Sequence, residues 1–337
     1  MMPASMRGDR RRAGFTLIEM LVVLAIIGVL ASLSAVAVFR LIGTQQNANT
    51  KSELSRLEAA FKKAYRSAAD NYSKEPIPVA ASYQSAYSTI LTRAGNDRLR
   101  AQVIWTKLRL RRAFPMTFNE ALNPADGNPV PPLPYYTNTL APLGYTAATV
   151  TNTPPATPAR TSPESSVCLL LALERGEDGP GLQQSDLGPS AFFKSLPVQL
   201  RSGQPGQPVT AMVDGWGNPL FFVRWPIYLN ASNSQNPTNY GLTGQPVAGF
   251  NDADDPTGLL ASTSWQGTAG YAWFTTTFHG LVPHAGGPPQ TYRIFPIIAS
   301  GGANNQLGFN PYAITLAGSP VGSTDADDLL ATLATPQ

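Results

Sequence analysis

Cysteine is almost missing from this chain. Cys168 is the only one in 337 residues, which excludes an intramolecular disulfide and a cysteine-based zinc cluster. Histidine is nearly as rare, with only His279 and His284, neither near a cysteine in sequence. There is no Gly-x-Ser-x-Gly elbow, no P-loop and no His-Glu-x-x-His, and the glycine-rich "ASGGANN" lacks dinucleotide spacing. Enzyme readings are correspondingly poor, and His279 in "TTFHGL" reads as a strand-end residue rather than a base. Charge is thin too: 13% of residues, against about 25% in an ordinary soluble domain. The net value of +3 is too small to name a partner class by itself. Glycine and proline are plentiful, at 29 and 31 residues, so loops must be numerous. The length suffices for one large or two ordinary domains with a real core.

Two further absences lie in the N-terminal region. No charge occurs from Met20 to Phe39, and no proline occurs between Phe15 and Lys74. With Phe15 to Ile18 included, the apolar stretch exceeds the roughly 20 residues that cross a bilayer as a helix. Arg7, Arg10, Arg11 and Arg12 precede it, against Asp9 alone, and this bias keeps the N-terminus cytoplasmic. One acid, Glu19, stands inside the run.

Three readings compete for this segment. A cleaved secretory signal has an apolar region of about 7–15 residues, shorter than this one, although Ser34-Ala35-Val36-Ala37 would serve as a late cleavage site. An uncleaved signal anchor fits the length but gives no reason for Glu19. The third reading accounts for it. The string "GFTLIEMLVVLAIIGVLAS" closely resembles the class III leader of type IV prepilins and type II secretion pseudopilins. The resemblance implies cleavage between Gly14 and Phe15 by a prepilin peptidase, and methylation of the new Phe15 amine. It also gives Glu19 a role in assembly. A lone carboxylate in hydrocarbon costs several kcal/mol unless paired, and the freed amine of a neighbouring subunit's Phe15 is such a partner. Many relatives carry a helix-kinking proline that would fall at position 36. This chain has Val36, so no proline kink is expected there.

Beyond the apolar run the helical pattern continues. Leu54, Leu57, Phe61, Tyr65 and Ala68 recur at three- and four-residue steps, with Lys51, Glu53, Glu58, Lys62, Lys63 and Arg66 on the remaining surface. A helix of some 55 residues would be about 80 Å long, too long for an isolated globular helix but fitting a spine whose outer stripe a head domain covers. The expected fold class is α+β and pilin-like: a long N-terminal helix, half membrane-spanning and half amphipathic, on a small antiparallel sheet with a large inserted region. The chain then divides into a leader (1–14), a transmembrane or filament-core helix (15–39), its amphipathic continuation (40–74), an insertion (75–205) and a β-rich C-terminal part (206–337).

Within the insertion, Arg93, Arg98, Arg100, Lys107, Arg109, Arg111 and Arg112 are met by Asp97 alone, with Leu99, Val103, Leu108 and Leu110 interspersed. This reads as a basic amphipathic helix. Its charges either form a solvated face meeting acids elsewhere in the head, or contact a subunit, anionic lipid or nucleic acid. Trp105 is the sole aromatic in that helix, so base stacking has little support and nucleic acid is disfavoured. Residues 123–163 are Pro/Thr/Ala-rich and read as an irregular loop. Ser162-Pro163-Glu164 then opens a helix through "SVCLLLALERG", where Cys168 reads as a buried structural thiol, no base adjoining it in sequence.

From Pro208 the pattern turns to strands: "VTAMV", "LFFVRW", "YAWFTTTF", "YRIFPIIAS" and "YAITL". Between the first two lies "DGWGNP", Asp214 to Pro219, with Trp216 a candidate for burial. It resembles the Asp-x-Trp-Gly-x-Pro turn of major pseudopilins. The C-terminal "ASGGANNQLG" and "GSTDADDLLATL" resemble that group's calcium-binding closing loop, which implies Asp325, Asp327, Asp328 and Asn304 as oxygen ligands. The alternative is an acidic N-cap for a last short helix. The resemblance as a whole implies a structural subunit of a type II secretion pseudopilus or, as the alternative, a minor pilin of a pilus, competence or adhesion system. Its implied partners are prepilin peptidase, other pseudopilins or pilins, an inner-membrane assembly platform with its ATPase, and membrane lipid. A single-pass inner-membrane location follows, with the head periplasmic.

Overall fold

A computed structural model describes residues 17–77, 84–123, 130–150, 163–175, 181–224, 255, 257–262, 264–265, 267–278, 296–305 and 329–332. Helix α1 runs unbroken from Leu17 to Lys74, 58 residues, as the lack of proline allows. The chain forms two compact units, Met1–Gln46 and Asn47–Gln337. In the first, α1 is long and apolar enough to cross a membrane, and its apolar stretch is not buried within the chain. Leu17, Leu24, Leu33 and Phe39 are all exposed. Ser32, Ser34 and Thr44 donate their hydroxyls back to the carbonyls of Val29, Leu30 and Arg40, which satisfies them without a partner helix.

In the second unit α1 becomes one-sided. Thr50, Leu54, Leu57, Phe61, Tyr65, Ala68 and Tyr72 are buried, the stripe that the spacing predicts. It shares one apolar cluster with residues of α2 (Gln84–Arg93), α3 (Arg98–Ala113), α6 (Pro163–Glu174), α7 (Gln184–Leu187) and α8 (Ala269–Phe278). Helix α3 begins where Asp97 accepts hydrogen bonds from the Leu99 and Arg100 amides, after a tight corner with Gly95 at φ 66° and Asn96 at φ 62°. Helix α6 is buried from Glu164 to Leu173, including Cys168, consistent with a segment apolar on all faces.

Two small antiparallel sheets complete the α+β fold. Strand β1 (Phe193–Gln199) pairs with β2 (Pro205–Met212), Phe193 opposite Met212. Strand β3 (Phe221–Val223) pairs with β4 (Ile297–Ser300), which pairs with β5 (Leu329–Thr332). The boundary expected at 205/206 therefore falls inside a hairpin, with β1 on its N-terminal side. A second core cluster forms around Phe118, Tyr136, Leu140, Tyr145, Cys168 and Ala211.

Several expectations need correcting. "YAWFTTTF" is not a strand but α8. The threonine run suggested β structure, yet Tyr271, Phe274 and Phe278 lie at helical spacing and all three are buried. Residues 329–332 form a strand rather than a last helix, because Leu330 and Ala331 complete the ladder on β4. The irregular loop of 123–163 contains α5 (Pro134–Leu140), anchored by the buried Tyr136, whose hydroxyl donates to the Ala113 carbonyl. "YAITL" lies outside the described residues. Helix α3 is not a solvated basic face: Arg100 and Lys107 are buried with Ile104, Trp105 and Leu108, while Leu99 is exposed.

Helices α8 and α2 touch at backbone distance. A Cβ added to Gly270 would lie 1.9 Å from the Arg93 carbonyl oxygen. Nearby, the Trp265 indole N–H donates to that carbonyl, and the Arg93 guanidinium sits 3.9 Å from the centre of the Trp273 ring. Gly270→Ala is expected to destabilise the fold by about 1–3 kcal/mol through overpacking. Thermal unfolding checks it against Gly43→Ala, where an added methyl meets nothing within 4 Å. An unchanged midpoint for Gly270→Ala would contradict the close approach.

Candidate functional site

Two regions carry the functional argument: the apolar first half of α1, and the place where the head engages α1. Gly14 and Phe15, the expected cleavage and methylation positions, lie outside the described residues. Glu19 is exposed in the first turn of α1, where the helix dipole favours a carboxylate. It and the apolar residues after it present a surface that the first unit itself does not cover.

The head grips α1 first at Thr50, the N-terminal end of the buried stripe. The Thr50 hydroxyl accepts the Gly215 amide at 2.8 Å. That amide belongs to the "DGWGNP" turn, and Asp214 holds the turn closed. One carboxylate oxygen of Asp214 accepts the amides of Trp216 and Asn218 at 3.0 and 2.9 Å. The other accepts the Ser300 hydroxyl at 2.7 Å. Asn218 donates to the Gly302 carbonyl at 2.7 Å, and Gly217 supplies the left-handed φ of 83° that the reversal needs. The turn thus ties α1, β2, β3 and the segment after β4 together. Asp214, not Trp216, is its buried residue; Trp216 is half-buried. Burial raises the Asp214 carboxyl above its ordinary range, with Ser300 and the turn amides pulling the other way.

Of the four residues that the calcium expectation names, the structure describes one. Asn304 is exposed on the turn after β4, and Asp325, Asp327 and Asp328 lie outside the described residues. Among the described residues no group of three or more His, Cys, Asp or Glu could hold a metal.

Sequence reasoning missed a buried charge cluster beneath the head. Arg224, following β3, donates to both oxygens of Glu120 at 3.2 Å and to the carbonyls of Arg111 and Phe114. Arg111 reaches Glu120 at 3.1 Å and the Thr277 carbonyl at 3.0 Å. Burial pushes Glu120 upward, but Arg224, Arg111 and the Met116 amide together outweigh it and hold the group at about 2. One helix away, Glu164 accepts the Phe118 amide. Burial, with Glu120 adding repulsion, raises it to about 7 against the opposing Phe118 bond. Burial also lifts the Cys168 thiol well above its usual value, with Glu164 and Glu120 adding to it, so this cysteine is inert. The cluster joins residues separated by 9 to 113 positions, and no local pattern announces it.

The remaining ion pairs show where the basic segment goes. Arg109 meets Glu75 at 3.0 Å and lies 4.6 Å from the centre of the Tyr72 ring; Arg100 meets Asp97 at 3.5 Å. These charges serve packing within the head.

Comparison with known proteins gives one match. The family model described as the prokaryotic N-terminal methylation motif matches residues 9–35. No curated protein and no solved structure matches the chain. The match places on residues 9–35 an N-terminal methylation motif of the kind that type IV pilin-like proteins carry.

Two outcomes test this geometry. Thr50→Val strands the Gly215 amide and is expected to cost about 1–3 kcal/mol, read from denaturant unfolding; no loss would mean the contact is not maintained. Glu164 favours its protonated form in the folded state, so its contribution is full below its ordinary value of 4.5 and is lost as pH rises through about 7. The loss is at most about 3 kcal/mol. Glu164→Gln is expected to flatten the decline in stability between these pH values, and parallel curves for the two proteins would count against it.

Proposed function

We propose that this protein is a structural subunit of a type II secretion pseudopilus, processed by prepilin peptidase at Gly14–Phe15 and assembled through its N-terminal helix to support protein export. The observation that carries the reading is the match over residues 9–35 together with the continuous helix Leu17–Lys74, whose described side chains are exposed along its apolar part and buried on one stripe from Thr50 onward. A helix of this kind needs two different environments. Lipid covers it before assembly, and neighbouring subunits' helices cover it afterwards. The Asp214 turn favours the secretion branch, since its sequence resembles the corresponding turn of major pseudopilins and its bonds to Thr50 and Ser300 give it a structural reason.

Glu19 has a defined task in this proposal. It pairs with the Phe15 amine of an adjacent subunit, in surroundings where breaking a buried ion pair costs about 3–5 kcal/mol. Such a pair fixes the axial register of neighbouring helices. The head is structural rather than catalytic, and its orientation is periplasmic. Calcium at Asn304, Asp325, Asp327 and Asp328 belongs to the same reading as an accessory stabiliser of the C-terminal loop; an unchanged melting point on chelation would remove it.

The test is the N-terminus of the protein recovered from its native membranes. Mass spectrometry is expected to find methylated Phe15 as the first residue. A chain beginning near Val36, or an intact Met1, would overturn the reading. Glu19→Val is expected to be cleaved normally but to fail in co-assembly, measured as loss of the protein from sheared or cross-linked filaments. Assembly equal to the parent would remove the proposed role of Glu19.

A further inference from the structure

Arg40 is the only ionisable side chain from Met20 to Thr50. It is exposed on α1, and among the described residues its guanidinium forms no hydrogen bond, ion pair or ring contact. The nearby Thr44 hydroxyl is already donated to the Arg40 carbonyl. Phe39, Leu41 and Ile42 are apolar and exposed, so the guanidinium rises from apolar surface on both sides along the chain. Whatever covers that surface must also satisfy one cation.

The position of this cation along the helix is specific. Arg40 follows Glu19 by 21 residues, about 32 Å of α-helix, with no charge between them. At the usual tilt of about 20° that length spans about 30 Å, the thickness of the hydrocarbon core of a bilayer. With Arg40 at one boundary of the core, Glu19 stands at the other. The methylene stem of an arginine lies along apolar surface while its head reaches the interface, where phosphates are found. The planar guanidinium suits a phosphate, because two parallel N–H donors meet two of its oxygens. A second copy of the chain fits less well. Glu19, the one acid on the apolar half of α1, reaches a neighbour's Arg40 only if the two helices are staggered by those same 32 Å or so. Its proposed pairing with Phe15, four positions away, needs a short stagger instead.

We propose that Arg40 binds a phospholipid phosphate at the membrane face opposite the N-terminal arginines, and that this contact fixes the depth of the unassembled subunit. The inference rests on the filament reading given above, in whose first stage lipid covers α1. It deepens that reading at Glu19. Held one core thickness from Arg40, the carboxylate meets water and headgroups before assembly, and is buried only when neighbouring helices replace the lipid. Arg7, Arg10, Arg11 and Arg12 outnumber Arg40, so the anchor does not reverse the orientation of the helix.

The full-length, uncleaved chain in bilayers of phosphatidylglycerol and phosphatidylcholine tests it. A spin label on Leu33→Cys reads depth; Leu33 is exposed, and the one native cysteine, Cys168, is buried and does not compete for the label. Leu33 precedes Arg40 by seven residues, so the label is expected about 10 Å below the phosphates. Arg40→Leu leaves no charge before Lys51, and is expected to draw the label inward by about 3–5 Å. Carbon–phosphorus dephasing in solid-state NMR, with the arginine guanidinium carbons labelled, reads the contact itself. Arg40→Leu is expected to lose the share of dephasing that Arg40 contributes, while the N-terminal arginines keep theirs. A thermal melt checks that the head is folded in both forms. Equal depth in the two forms would overturn the anchor, and loss of that variant from filaments would then assign Arg40 to a second copy. A change of depth with unchanged dephasing would overturn the phosphate contact and place the guanidinium in water. An intact Met1 in cells that make the peptidase would overturn the filament reading alone, because depth is measured on the uncleaved chain. A label of the parent found in water would overturn both.

Discussion

Everything in the second unit depends on burying one stripe of α1. Phe61, fully buried, stands at its middle, its ring 5.3 Å from Phe114 and 5.1 Å from Phe222. Those two contacts bring the end of α3 and the strand β3 onto the same helix turn. A fully buried aromatic contributes several kcal/mol, so this meeting point organises the layers above it. The helix cannot shift along its axis without pulling Phe61 from both neighbours, or slide at its upper end without breaking the Thr50 bond to Gly215. Strand β5 is joined to this core through its pairing with β4, which pairs with β3.

Several polar groups buried in this core have partners distant in sequence. Asp214 closes a turn, Ser165 and Ser166 bond the Phe222 amide and the Met212 carbonyl, and Arg224 with Arg111 encloses Glu120. An apolar replacement of such an ionic cluster is often no less stable. The cluster joins α3, α4 (Phe118–Leu122) and the end of β3 through the pairing of Arg111 and Arg224 with Glu120. Glu164, raised to about 7 by burial, changes its charge between mildly acidic and neutral pH.

The readability of the sequence was uneven for physical reasons. The N-terminal motif and α1 were legible because their signal is local: an uninterrupted apolar run, then a three-four repeat ending near paired prolines. The interior helix α6 was legible by its apolar body, and Cys168 with it. The strand assignment of 271–278 failed because three threonines in a row mask a helical repeat of aromatics. Residues 329–332 could not be assigned from propensity at all, since only the partner strand β4 decides their form. Thr50, Glu120 and Arg224 were invisible because their roles exist only through residues far away in the chain. Asp214 was recognised as part of a turn, but which of its residues goes inside depends on Ser300, 86 positions later.

The distribution of aromatic rings has an optical consequence. All five tryptophans and all twelve tyrosines lie after Gln46, in the second unit. Trp265 is buried with the Arg100 guanidinium 5.0 Å from its ring centre, and Trp273 has Arg93 at 3.9 Å, while Trp216 is half-buried. Intrinsic fluorescence and near-ultraviolet dichroism therefore report on the head alone and are blind to the apolar half of α1. Far-ultraviolet dichroism sees both. The difference between the two signals isolates, without any label, what the apolar half of α1 does.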